Sequence, residues 1–163
     1  MPDPIPADPF LRPLLFLWEE VVGDPPGGAG PSAVLDLNSG WTQTLAAVTA
    51  GEASRPVVPG GPSIAGQTAH VAYDLELFEA IALDRDPKAD WPRSFHPSVA
   101  GEADRADLEA RLFAVAERAA ALVSGNPSWP EGHVRGALGS HAHPAYHLGA
   151  VRQMVRVVAN RES

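Results

Sequence analysis

Apolar residues recur at three- and four-residue spacing in five stretches of this chain, and the segments between those stretches are crowded with proline and glycine. A helix carries residues i, i+3, i+4 and i+7 on one side, so the spacing predicts amphipathic helices that the intervening prolines and glycines keep separate. Phe10, Leu14, Leu17 and Val21 mark a first helix ending near Val22. Leu37, Trp41, Leu45 and Val48 mark a second within about 34–50, interrupted by Asn38, Ser39 and Gly40. Ser63 is a suitable N-cap for a third, running from Ile64 to about Leu83. Leu108, Leu112, Val115, Ala119 and Leu122 define a fourth from about Asp104 to Ser124, closed by Gly125, Asn126 and Pro127. The last follows S-W-P-E-G and ends near Asn160. No stretch sustains period-two alternation and there is no internal repeat. The expected fold is all-α: an antiparallel four-helix bundle with an extra N-terminal helical segment.

A chain of 163 residues suits one domain with a sizeable core. That domain is expected over 10–163, behind an extended arm at 1–9 whose prolines at 2, 4, 6 and 9 oppose a regular helix. There is no cysteine, so a metal site must be built from His, Asp, Glu and water. The net charge is −8, and no cluster of Arg or Lys marks a phosphate-tracking face, so nucleic acid is not expected as a partner. The N-terminal residues lack the basic and apolar segments of a secretory signal, and no apolar run approaches the ~20 residues of a spanning helix. A cytoplasmic protein without membrane attachment is the expectation.

The last helix carries the chemistry. His143 and His147 stand four residues apart, one turn up the same face, close enough to hold a single ion. That face continues through Ala150, Val151, Met154 and Val158, which aims both imidazoles into an interior. An i, i+4 pair can equally be two core histidines bonded to carbonyls or hydroxyls, so a third ligand is needed. His70 supplies it: with Asp74, Leu77, Phe78 and Ile81 it forms one face of the third helix. Pro144 stands where H-E-x-x-H places its glutamate, which disfavours a zincin-type peptidase and predicts a kink. Asp74 is the nearest candidate for an additional ligand, a partner orienting an imidazole, or a general base; a salt bridge to Arg152 is the alternative. Tyr146 and Arg152 are candidates for orienting a substrate. His141 lies about 200° from His143 around the helix and faces away from the site, and His96 and His133 read as solvated loop residues. Trp91 and Phe95, within the proline-rich 84–101 segment, can fold over the end of the bundle, as packing or as a lid.

S-I-A-G-Q-T-A-H-V-A-Y at 63–73 and H-P-A-Y-H-L-G-A-V-R-Q-M at 143–154 resemble the two signature regions of the DinB/YfiT superfamily of metalloenzyme-like proteins. D-W-P-R-S at 90–94 and the acid-rich helix after it fit the same order, so the resemblance runs from about Phe10 to Arg156. It implies an up-down-down-up bundle in which a divalent ion, zinc, nickel or iron, is held by one histidine of the second bundle helix and an H-x3-H pair of the fourth. Here those are His70, His143 and His147. Gln67 and Pro144 depart from it, standing where many relatives have His and Ala. Three neutral imidazoles leave a coordination position open, the pattern of a catalytic site. The resemblance implies a metal-dependent transferase acting on a small molecule with a low-molecular-weight thiol as cosubstrate, in detoxification or stress response, and a homodimer. The alternatives are a metal-dependent hydrolase and a non-catalytic metal-binding or dimerising bundle. Whether the three histidines end in a cleft or under a closed core separates enzyme from staple.

Overall fold

The computed structural model describes residues 5–6, 8–23, 32–35, 40–125, 128–129 and 131–160. Residues 24–31 of the loop expected at 23–31, the interruption at Asn38 and Ser39, and residues 1–4 and 7 of the arm expected at 1–9 lie outside these; the arm is shorter than expected, since Asp8 and Pro9 already belong to the first helix. Four long helices dominate: α1 (Asp8–Val22), α4 (Ile64–Ala82), α6 (Glu102–Ser124) and α7 (Glu131–Ala159). Three short ones are α2 (Trp41–Ala46), α3 (Ala50–Ser54) and α5 (Trp91–Ser94). The only β structure among the described residues is an antiparallel pairing of two two-residue strands, β1 (Ile5–Pro6) and β2 (Ser128–Trp129).

The all-α bundle is what the periodicity predicts. α1 and α4 each pack on α6 and α7, so α1 lies diagonally across from α4. Leu14, Trp18, Val21, Leu112, Val115, Ala119, Leu148 and Val151 are buried where these helices meet. α4 is the most enclosed, with every residue from Ile64 to Ala72 buried, because α3 and α5 cover it in addition to α6 and α7. Its exposed sides are tied to α6 by the Glu76–Arg111 and Glu79–Arg118 pairs, both with two N–H···O contacts. Ion pairs this exposed contribute little, so packing holds the bundle.

Ser63 caps α4 as expected, its hydroxyl accepting from the Gly66 N–H at 3.0 Å. Of the helix expected over about 34–50, only Trp41–Ala46 is helical; Val34 and Leu35 are not, and a separate short helix, Ala50–Ser54, begins where the expected one should end. Thr49 starts this short helix: its hydroxyl accepts from the Glu52 N–H, and the Glu52 carboxylate accepts from the Thr49 N–H at 2.7 Å. This reciprocal cap satisfies two N–H groups that a helix start leaves bare, and it redirects the chain. The 84–101 segment is not irregular throughout, since Asp90 caps α5 by accepting from the Arg93 N–H at 3.2 Å. His133 is helical rather than in a loop, though exposed. α7 is not interrupted at Pro144, which is fully buried and whose carbonyl accepts from the buried Trp41 indole N–H at 3.2 Å. No helix among the described residues is long and apolar enough to cross a membrane.

Candidate metal centre

α4 and α7 bring His70, His143 and His147 together, one ring nitrogen from each lying within 4.8 Å of the others. His70 and His147 are only 5% and 7% exposed, whereas His143 is half-buried and faces the rim. The ring centroids are 4.4 Å apart for His143 and His147, 4.7 Å for His70 and His147, and 5.1 Å for His70 and His143. Burial is the larger cause that pushes both His70 and His147 down to about 4, and the neighbouring histidine charges add to it. These two imidazoles are therefore neutral near pH 7, the form that ligates a metal.

The outer nitrogens of these two rings are already committed. His70 Nδ1 is 2.7 Å from the Ser94 hydroxyl oxygen, and that hydroxyl donates its one hydrogen to the Trp91 carbonyl at 2.6 Å. Ser94 must then accept, so the proton sits on His70 Nδ1 and the Nε2 lone pair faces inward. His147 Nδ1 is 2.5 Å from the Gln67 amide oxygen, which likewise places the proton on Nδ1 and frees Nε2. His70 Nε2 is 3.1 Å from His143 Nε2. Two imidazole nitrogens about 2.0–2.1 Å from one tetrahedral ion stand about 3.3 Å apart, so the His70–His143 spacing and the donor chemistry of all three residues fit a shared cation.

The α4–α5 connection closes one side of the cluster. Phe95 stacks on His70 at 3.9 Å and 14°, and Trp91 meets it edge-on at 5.7 Å. Tyr73 holds this segment, its hydroxyl accepting from the Asp90 N–H at 2.8 Å and its ring meeting Trp91 at 87°. Gly66 permits the approach: a Cβ there would stand 2.6 Å from the Phe95 carbonyl oxygen. On the other side Tyr146, 75% exposed, sets its ring edge-on to His147 at 5.1 Å.

His143 opens onto a cleft of about 380 Å³ lined by Asp74, Leu77, Phe78, Trp91, Gly139 and other residues of α4 and α7. Asp74 is thus on the wall beside His143 and outside the three-nitrogen cluster. Burial raises its carboxyl pKa, and His143 works against that rise. Ile81, expected on the buried stripe of α4, is 64% exposed and forms part of the same cleft. His141 faces away from the cluster as expected, lying 6.3 Å from the Trp18 ring, and His96 is exposed.

Sequence reasoning did not identify Gln67 and Ser94 as the groups that orient the ligands. Gln67 carried one usable signal, since it precedes His70 by three residues on the same face of α4. Ser94 carried none, because its role depends on how the loop returns across the helix. No protein-family model matches this chain, and no curated protein or solved structure is significantly similar to it.

Proposed function

We propose that this chain is a divalent-metal enzyme of the DinB/YfiT kind, a transferase that joins a low-molecular-weight thiol to a small electrophilic substrate. The observation that carries the reading is the pair of Nδ1 commitments, His70 to Ser94 and His147 to Gln67, beside a His143 that opens on a cleft. Satisfied core histidines would not need two lone pairs turned toward a third imidazole, and a structural staple would not need a cleft.

His70, His143 and His147 would hold the ion. Zinc, nickel or iron held there would supply Lewis-acid polarisation, which would lower the pKa of a thiol or water beside it. The chain's own residues do the rest. Ser94 and Gln67 hold two imidazoles in the ligating tautomer and orientation. Phe95 and Trp91 keep water from the His70 side, which strengthens every electrostatic interaction within. Asp74, with a raised pKa and a place on the cleft wall, accepts the proton that the nucleophile gives up. Tyr146, at the rim, contacts the incoming substrate.

Elemental analysis of the untagged protein, paired with His70→Ala, tests the metal. The expected result is one equivalent of a first-row metal, lost in the variant. No metal after reconstitution with zinc, nickel or iron would overturn the reading. For the chemistry, mass spectrometry of an electrophile incubated with thiol and loaded protein should show the S-conjugate, and hydrolysis product alone would make the protein a hydrolase. Asp74→Asn should keep the metal and lower the rate by about 10²-fold or more.

A further inference from the structure

The cleft at His143 does not end at Ile81. A second cavity of about 450 Å³, between α4, α6 and the start of α7, shares Phe78, Ile81 and Gly136 with the first. The two adjoin at these residues, and together they make a groove along α4 from Asp74 to Ala82 and along α7 from His143 back to Gly132, with the Phe78 ring against Gly136 where they meet. At the rise of a helix these spans are about 12 Å and about 16 Å. Leu77, Phe78, Ile81 and Leu122 line it, and among its described lining residues only Asp74, at the His143 end, is an acid.

The α7 side of this groove is built by leaving side chains out. Gly132, Gly136 and Gly139 lie on one helix face, and packing requires none of them. A Cβ at Gly132 or Gly139 would meet nothing within 4 Å, and at Gly136 it would make an ordinary 3.6 Å contact with the Phe78 ring. Gly136 and Gly139, in the interior of α7, each cost about 1 kcal/mol relative to alanine, and what they supply here is space.

We infer that this groove is the substrate channel and that its occupant is an elongated, apolar small molecule. Its reactive end meets His143 and Asp74, and its hydrocarbon part lies against Phe78, Ile81 and Leu122. The groove is too long for a small polar substrate, and its inner walls offer hydrocarbon the burial that drives binding. The reactive end rests on the metal-enzyme reading, whereas the hydrocarbon part does not.

The test has two arms. In the first, straight-chain alcohols from butanol to decanol are titrated calorimetrically into metal-free protein. Affinity should rise about two- to fourfold per methylene and level off when the groove is full, and Gly136→Leu should flatten the series. Ile81→Glu, an exposed change that leaves the core alone, should weaken the longer alcohols selectively. In the second arm, alkanethiols of the same lengths are added to cobalt-loaded protein, and the sulfur-to-cobalt band should report the same length dependence. Length dependence in the metal-free arm without cobalt binding would uphold the groove while ending the metal reading. No length dependence in the metal-free protein, or the same dependence in Gly136→Leu, would overturn the inference. So would a dimer in sedimentation that Ile81→Glu splits, since the groove would then be an interface between two copies.

Discussion

Ser94→Ala removes one hydroxyl and tests whether the cluster is built to hold an ion. His70 is 5% exposed, and its Nδ1–H has the Ser94 oxygen at 2.7 Å as its acceptor. Without that oxygen the imidazole has two options. It can keep the proton on Nδ1, leaving a buried N–H unpaired at about 1–3 kcal/mol. Or it can move the proton to Nε2, the atom 3.1 Å from His143, and lose the lone pair that ligates. Since ligation needs the first option, the cost falls on the metal-bound state, and the loss expected for such a partner is about 10–100-fold in affinity. That factor is about 1.4–2.7 kcal/mol, in the same range as the unpaired N–H. The assay is zinc competition against a chromophoric chelator, with denaturant melts of the metal-free protein separating any loss of fold. Ser94→Thr keeps the hydroxyl and should restore most of the affinity. Zinc binding within twofold of the wild type in Ser94→Ala, while His70→Ala abolishes it, would refute the reasoning.

Acid should destabilise the metal-free protein through the same histidines. Folded His70 and His147 are held at about 4 by burial, against an ordinary value of about 6.5. Between those values the unfolded chain takes up protons that the folded protein refuses. Stability is thus complete above about pH 6.5, falls as pH drops toward about 4, and levels below it. Asp74 acts in the opposite sense, because its raised pKa gives stability that is lost as pH rises, so the urea melts should be run in Asp74→Asn. A melt midpoint that does not change between pH 7.5 and pH 4.5 in that background would contradict the burial of these imidazoles. Gly66→Ala should push the Phe95 segment off His70, since the added Cβ would stand 2.6 Å from the Phe95 carbonyl oxygen. The expected cost is about 1–3 kcal/mol, with faster hydrogen exchange over 91–95; unchanged exchange there would show that the loop does not depend on that close approach.

The sequence by itself determined the helices that carry the site. Ser63 and the apolar periodicity placed α4, and the His143–His147 spacing put two imidazoles on one face of α7, because capping and helical pitch are local properties. His70 was legible as a polar residue on a stripe that should be buried. Only the tertiary structure decided what those residues meet. The expected second helix stops at Ala46, and Thr49 starts a separate one over Ala50–Ser54 through its exchange of hydrogen bonds with Glu52, a competition that apolar spacing does not register. Ile81 continues the α4 stripe yet is exposed, because no side chain of α7 covers it where Gly136 and Gly139 leave the groove open. The tautomers of His70 and His147 were set by Ser94, 24 residues away along the chain, and Gln67, 80 away. A proton on one ring nitrogen rather than the other depends on which acceptor stands within hydrogen-bond reach, and at those separations only the packing of helices and the return of the α5 loop can bring one there.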